Sequence, residues 1–470
     1  MEAMKWKGKP KKEESLKNNE EVKLPLKTKM FYGIGDIGNA IINSAIQFYL
    51  LKFYTDIALI LPVLAGNALL IGKIWDAIND PLFGWLTDKT DSKLGRRRVF
   101  MIWGAIPLGI SIMLLWFIPK GLSTTTTFIW IALTFILFDT FWTLTNVPYY
   151  ALTSELTDDY DERSSLTTTR MVMAVPAYLV GVALTPLLAG LFSDGRKGWA
   201  YVGIIYGVIC AAVLLISAAG IKERKKVMQT KAKTNVWQSV KIALSNKPFQ
   251  RLCIAYFVIN LAFAMVKTLM AYYLEYQLLM KNEISLVMGL MLICVTLSLP
   301  FWKKLSEKLD KGKSYALGTG IGAIAISISF FLKPEQGKLV YILSALAGIG
   351  FGSQWIFPWS MVADVADYDR VQSGEFRSGM YYGIWGLATK ISEALAIAGI
   401  GWMLTGFGYV PNVVQSSKSL LGIRLFFGPI PGIIIIVTLP LLIWYPIDRK
   451  KHSEIREKLA AMESQLGENL

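Results

Sequence analysis

Residues 62–87 read PVLAGNALLIGKIWDAINDPLFGWLT, and the reading of this stretch decides the fold. It is long enough to cross the ~30 Å hydrocarbon core of a bilayer as a helix, which takes about 20 residues. Its charges are not scattered. Asp76 and Asp80 are four residues apart and Lys73 lies three before Asp76, so all three share one helical face. A charge within hydrocarbon costs roughly 2.5–3.5 kcal/mol on insertion scales and marks a functional site by default. The segment therefore predicts a membrane-spanning helix that turns a charged face towards other protein.

Working outward, similar apolar blocks recur along all 470 residues. They predict spans at 31–54, 62–87, 99–118, 126–150, 166–192, 199–221, 249–276, 284–301, 315–332, 339–363, 378–405 and 420–445. In lipid a backbone must satisfy its own hydrogen bonds, so each block is read as a helix. The fold class is an all-α membrane protein with twelve transmembrane helices in two six-helix halves. The domains read as a basic N-terminal tail (1–30), a first bundle (31–221), an inter-bundle loop (222–248), a second bundle (249–445) and a charged C-terminal tail (446–470). Composition agrees: 53% of residues are apolar and 18% charged, against about 25% charged in soluble domains.

The net charge of +15 is not spread like a nucleic-acid-binding surface. Basic residues gather in the N-terminal tail and in 88–98, 222–251, 302–313 and 446–458, while the alternate connections carry few charges. That alternation places both termini in the cytoplasm, of a plasma or bacterial inner membrane. The hydrophilic N-terminal tail leaves the first span to direct insertion, with no cleaved leader expected. Cys210, Cys253 and Cys294 lie in apolar stretches without metal-ligand spacing, and the one histidine, His452, sits in the tail. The residues for a His-based enzyme site or a transition-metal centre are missing.

The halves echo each other weakly. Gly84–Lys89 and Gly95–Arg98 follow span 2, and Trp302–Lys308 with Asp310–Lys313 follow span 8. Glycine-rich runs (Gly33, Gly35 and Gly38; Gly399, Gly401 and Gly406) suit close helix approach, mostly as packing. Two carboxylates on one face repel unless a cation or proton sits between them. Hard oxygen ligands suit a small alkali cation, to which Asn79 adds a neutral oxygen. Lys390 with Glu393 lies near mid-membrane in span 11, and Asp36, Asp139 and Lys267 are further buried charges. For Asp80, pairing with Arg96–Arg98 stays open, as does snorkelling for Arg170. Asp364 and Asp367 are read as a gate or cap ending span 10. Tyr149, Tyr150, Trp355 and Trp385 are candidates to stack on a sugar ring, beside the plainer reading as packing.

The run Trp75–Gly84, followed by Gly95–Arg98, resembles the signature of the glycoside–pentoside–hexuronide:cation symporters (the melibiose permease-like family) of the major facilitator superfamily. Supporting segments include Tyr32–Asp36, Asn146–Leu152, Asp161–Arg170, Asp364–Tyr368, Lys390 and Gly408–Asn412, so the resemblance covers about residues 30–450. It implies a cation site at Asp76, Asn79, Asp80 and Thr143, for sodium or a proton. It implies substrate contacts at Arg170, Lys390, Asn146, Tyr150, Trp355 and Asp36, and a cytoplasmic latch at Asp88, Arg96, Arg97 and Arg98, with Asp364 and Asp367 opposite. Lys390 would exchange partners with the span-2 carboxylates as the cation comes and goes.

The sequence departs from the family where a carboxylate pair grips the sugar: those positions are Ala40 and Asn146. Alanine makes no charge-assisted hydrogen bond, so a glucuronide or xyloside fits the resemblance better than a galactoside. A likeness to sodium-dependent lysophospholipid symporters, in Phe357–Met361 and Tyr445–Asp448, implies a second substrate class. The expected function is import of a sugar, glycoside or hexuronide with a coupling cation, among membrane lipids and without nucleic acid or organic cofactor. Lysolipid symport and a non-transporting scaffold are the alternatives. An amphipathic cytoplasmic helix is expected from Ile455 to Leu466.

Overall fold

A computed structural model describes residues 24–157, 160–223, 236–374 and 377–468, and these are all-helical apart from short connections. The N-terminal tail up to residue 23 and most of the inter-bundle loop lie outside the described residues. The twelve long helices are α1 (Leu26–Ala45, continued by π-helical turns Ile46–Leu50 and Phe53–Ile57), α2 (Pro62–Lys89), α3 (Arg98–Leu115), α4 (Thr124–Leu156), α5 (Tyr160–Gly190) and α6 (Gly195–Gly220). Then come α7 (Lys247–Tyr272, continued by the π-turn Tyr273–Gln277), α8 (Ile284–Leu309), α9 (Lys311–Ile328), α10 (Leu339–Ser373), α11 (Ser378–Gly406) and α12 (Ser417–Phe427 and Pro429–Ile443).

Among the described residues, 10 helices are long and apolar enough to cross a membrane, and neither α1 nor α2 is one of them. The reason is local. Asp36, Asn39, Asn43 and Gln47 line up on α1, and Lys73, Asp76, Asn79 and Asp80 on α2, at spacings of three and four. Such a polar face lowers the mean hydropathy of a span and is tolerable only when turned away from lipid.

Several helices outrun their apolar cores. The α5 helix begins at Tyr160 rather than 166, α8 runs to Leu309 rather than 301, and α10 to Ser373 rather than 363. Hydropathy marks only the part of a helix in hydrocarbon. Beyond it a polar turn keeps its helical hydrogen bonds and still faces water. A glycine stops α10: Gly374, at φ 72°, donates its N–H to the Arg370 carbonyl at 2.9 Å, the left-handed cap that favours glycine.

Within the first six helices α1 packs on α5 and α6, α2 on α4, and α3 on α4 and α6. Within the second six, α8 and α9 pack on α10, α7 on α11 and α12, and α9 on α12. The two sets meet along α2–α11, α5–α8 and α1–α7. One end of the bundle carries Arg96–Arg98, Lys311 and the C-terminal helix Arg449–Glu468 and is called the basic end below. At the far end, α1 and α7 finish alike. Each closes in a π-turn followed by a left-handed leucine, Leu59 at φ 61° and Leu279 at φ 57°, with matching bonds Ala58 N–H to Phe53 and Leu278 N–H to Tyr273.

There α2 and α11 approach closely. A Cβ on Gly401 would sit 2.5 Å from the Pro62 carbonyl oxygen, whereas Gly399 and Gly406 face open space. Of that glycine-rich run, only Gly401 is needed for the approach.

Candidate functional site

The charged face of α2 meets α11. Lys390 Nζ donates to Asp76 Oδ1 at 2.6 Å and to Asp80 Oδ2, so one ammonium bridges two carboxylates from the opposite set of helices. Lys73 Nζ lies 3.3 Å from Asp76 Oδ2, and the Thr143 hydroxyl on α4 donates to Asp80 Oδ1 at 3.1 Å. Asn79 donates through Nδ2 to Asp139 Oδ2 at 3.0 Å. Two carboxylates this close need positive charge between them, and here lysines supply it. The Asp76 side chain is 2% exposed and that of Asp80 37%, so exposure climbs towards the basic end.

Proline sharpens the site. Pro81 follows Asp80, and Pro148 lies two residues after Asn146. A proline removes the N–H that would bond the carbonyl four residues earlier, which frees the carbonyls of Ala77 and Leu144 beside these side chains.

On α4, Trp142 and Tyr150, to either side of Thr143, face a cavity of about 150 Å³ lined also by Asp36, Asn39, Tyr178 and Trp355. Tyr150 donates to Asp36 Oδ1 at 3.2 Å. Asn39 Nδ2 donates to Asp36 Oδ1 at 3.3 Å and to Asn146 Oδ1. Arg170 lies over the Tyr150 ring, 4.9 Å from its centroid, with Nε 3.6 Å from Asp36 Oδ2; that Nε–H is buried and lacks an acceptor within hydrogen-bond distance. Trp355 of α10 meets Tyr178 of α5 edge-on at 5.7 Å, so both sets of helices wall the cavity. Next to it Gln47 Oε1 accepts from Tyr178 at 2.9 Å and from Lys267 Nζ at 2.6 Å, and Lys267 lies 3.8 Å from Glu393.

The structure thus gathers Asp76, Asn79, Asp80, Thr143 and Lys390 into one cluster, and Asp36, Asn146, Tyr150, Arg170 and Trp355 into the neighbouring one. Two aromatic candidates belong elsewhere. Tyr149 stacks on Tyr32 and donates to its carbonyl at 2.7 Å, and Trp385 is buried against Tyr256 with ring centroids 3.9 Å apart. Both are packing residues.

The expected gate residues make contacts within their own sets. Arg96 and Arg97 pair with Glu155 on α4, and Arg98 Nε donates to the Ala218 carbonyl at 2.7 Å. The backbone N–H groups of Arg96, Arg97 and Arg98 all donate to Glu223, at 2.6, 2.9 and 2.6 Å. The side chain of Asp88 lies outside the described residues. Asp364, inside α10 rather than ending it, pairs with Lys311 at 2.6 Å and with His452 at 3.3 Å. Asp367 lies 4.0 Å from Arg456. These two carboxylates dock the C-terminal helix.

Sequence reasoning passed over a constellation at the far end. Asp56 accepts from Thr55 at 2.7 Å, Tyr276 at 2.7 Å and Tyr409 at 2.5 Å, and Asn412 Nδ2 donates to its carbonyl at 2.6 Å. Lys52 pairs with both Asp56 and Glu275 and lies over the rings of Tyr272 and Tyr276. Apart from Lys52 and Thr55, these partners come from the second set of helices. The signal was Lys52 and Asp56, four residues apart at the end of a span. A cavity of about 560 Å³ opens here, with Leu187, Leu191 and Phe192 in its wall.

The sequence matches the family described as MFS/sugar transport protein over residues 31–449. An uncharacterised symporter of Synechocystis is 29% identical, covering 93% of this chain and 97% of its own length. Sodium-dependent lysophosphatidylcholine symporter 1-B of Danio rerio is 26% identical, covering 94% and 91%. Among solved structures, a bacterial homologue of the human lysosomal transporter Spinster, inward-facing and unoccupied, superposes with a TM-score of 0.64. That match has 14% identity and covers 89% of this chain and 95% of the other, which bears on the fold alone.

Proposed function

The chain belongs to the MFS/sugar transport protein family, and from that premise we propose that it is a sodium-coupled symporter of a sugar, glycoside or hexuronide. The observation that carries the coupling is the Lys390 bridge between Asp76 and Asp80. Its ammonium holds the place that a monovalent cation would take among Asp76, Asn79, Asp80 and Thr143. When a cation enters, it satisfies the carboxylates and releases Lys390 from them. When the cation leaves, Lys390 returns. Each ligand then changes the charge that the other meets, so the two bind cooperatively and reciprocally.

The basic end is the cytoplasmic end by the positive-inside pattern. The far end, closed by Asp56 and its partners, is the external gate, and the posture is one with the external side shut. Rocking of the two sets of helices about the shared site completes alternating access.

For the substrate, the cavity lining of carboxylate, amide and aromatic groups suits hydroxyl-rich rings. The buried Arg170 Nε–H, ion-paired with Asp36 at 3.6 Å but without a hydrogen bond, favours a substrate that brings a carboxylate, as a hexuronide does. A second reading, a lysophospholipid, draws support from the fish relative and from the apolar wall of the larger cavity.

Uptake into proteoliposomes under an inward sodium gradient tests both readings. Accumulation of a labelled glucuronide or xyloside, abolished in Asp76→Asn, is the expected result. Accumulation of lysophosphatidylcholine instead would reassign the substrate. No sodium-driven uptake of either class would overturn the symport reading and leave a scaffold.

A further inference from the structure

Lys52 stands between the two π-turns of α1, inside a cage that α7 builds. Its ammonium lies over the rings of Tyr272 and Tyr276, 4.7 and 4.6 Å from their centroids, and 2.8 Å from Glu275 Oε2. Glu275 and Tyr276 come three and four residues after Tyr272, so the three share one face at the end of α7. The second set of helices holds this cage by itself. Tyr409 meets Tyr272 and Tyr276 edge-on, at 5.5 and 5.4 Å, and Lys281 lies 2.8 Å from Glu275 Oε1. The larger cavity reaches the place: Lys52, Asp56, Glu275 and Lys281 all line it.

We propose that Tyr272, Glu275 and Tyr276 form a binding site for a primary alkylammonium ion, which Lys52 fills from within the chain in this posture. An aromatic face carries the negative side of the ring quadrupole. Two such faces and a carboxylate therefore favour a compact cation over a neutral group of the same shape. The ammonium of a lysine is such a cation, carried on a flexible apolar stem. When the far end opens, α1 withdraws Lys52 and Asp56, while the α7 residues keep the packing they have within their own set. The vacated cage then faces the exterior. An amine that enters it bars the return of Lys52 and holds the far end open. That last step rests on the alternating-access reading, whereas the cage is present without it.

The test is calorimetric titration of the full-length Lys52→Ala chain, without substrate or gradient, with n-propylammonium, the fragment that this substitution removes. The variant is expected to bind it about tenfold more tightly than it binds n-propanol, and about tenfold more tightly than the unaltered chain, whose site is filled, binds it. Adding Tyr276→Leu removes a ring face and should abolish both differences. Adding Tyr276→Phe instead removes only the hydroxyl and should keep them. Equal binding by Lys52→Ala and the unaltered chain, or a preference that survives Tyr276→Leu, overturns the site. Should Lys52→Ala fold poorly, Lys52→Ser vacates the same volume. The rise in its melting temperature on adding propylammonium then reads the same preference, since a ligand stabilises the state it binds.

Sodium-driven uptake by the unaltered chain separates this site from the reading beneath it. If uptake is seen and Lys52→Ala does not bind propylammonium, the ammonium site alone falls. If uptake fails and the variant binds propylammonium as expected, the symport reading falls and the site stands.

Discussion

In the proposed mechanism Lys390 competes with the coupling cation for the carboxylates of Asp76 and Asp80, and that competition fixes the sign of its removal. Lys390→Ala leaves Asp76 with Lys73 and Asp80 with Thr143, so the carboxylates become more available. Sodium should bind about tenfold tighter, or more, while accumulation is lost because nothing refills the site when sodium departs. Sodium titration of tryptophan fluorescence beside gradient-driven uptake checks both halves; weaker sodium binding would show that Lys390 is a ligand's support and not its rival. Arg170 makes a different test. Its guanidinium combines a ring contact with an Nε–H that faces Asp36 at 3.6 Å without a hydrogen bond, and a lysine reproduces only the charge. Arg170→Lys is therefore expected to raise the substrate concentration for half-maximal uptake about tenfold, with sodium affinity unchanged. These residues were legible in the sequence because a charge in hydrocarbon has few reasons to be there. Asn39, Gln47 and Tyr178 were not, since neutral polar groups occur throughout membrane helices. Only their neighbours in space, Asn146, Lys267 and Trp355, make them part of a site.

On the proposed reading, the far ends of α1 and α7 and the segment after α11 form one latch. Asp56 gathers the hydroxyls of Tyr276 and Tyr409, and Lys52 ties it to Glu275. Breaking a buried ion pair by removing one partner costs about 3–5 kcal/mol, enough to shift a two-state equilibrium by about two to nearly four powers of ten. Asp56→Ala should therefore populate a form opened at the far end. Spin labels at the exposed positions Leu61 and Val414 should move apart in the variant. An unchanged distance distribution would mean that the apolar contacts of α2 with α11, such as Gly66 against Ala398, hold the end shut unaided. The elements themselves were readable from hydropathy except at their ends, where polar turns of α5, α8 and α10 continue the helix into water. The two long helices that fall short of a span by hydropathy, α1 and α2, supply Asp36, Asp76, Asn79 and Asp80 to the candidate site. A polar face that weakens the hydropathy signal is the same face that the proposed site uses.

At the scale of the molecule, the fold places α2 of one set against α11 of the other, so the proposed cation cluster is itself a contact between the two sets of helices. A cation that displaces Lys390 both fills a site and loosens an inter-set ion pair. Sodium should then alter conformation even with no substrate present. The cavity, walled by Trp355 from one set and Tyr178 from the other, is likewise complete only when the sets are correctly apposed. Coupling of this kind is thermodynamically reciprocal: the factor by which sodium raises substrate affinity must equal the factor by which substrate raises sodium affinity. For a coupling free energy of about 1–3 kcal/mol that factor lies between roughly 5 and 150. Calorimetric titration of each ligand with and without the other measures it twice. The two factors should agree for the unaltered chain, and both should fall towards one in Lys390→Ala, where the shared charge is gone. A factor of one in the unaltered chain would mean that the two clusters, though adjacent along α4, do not communicate, and the symport mechanism would have to be abandoned.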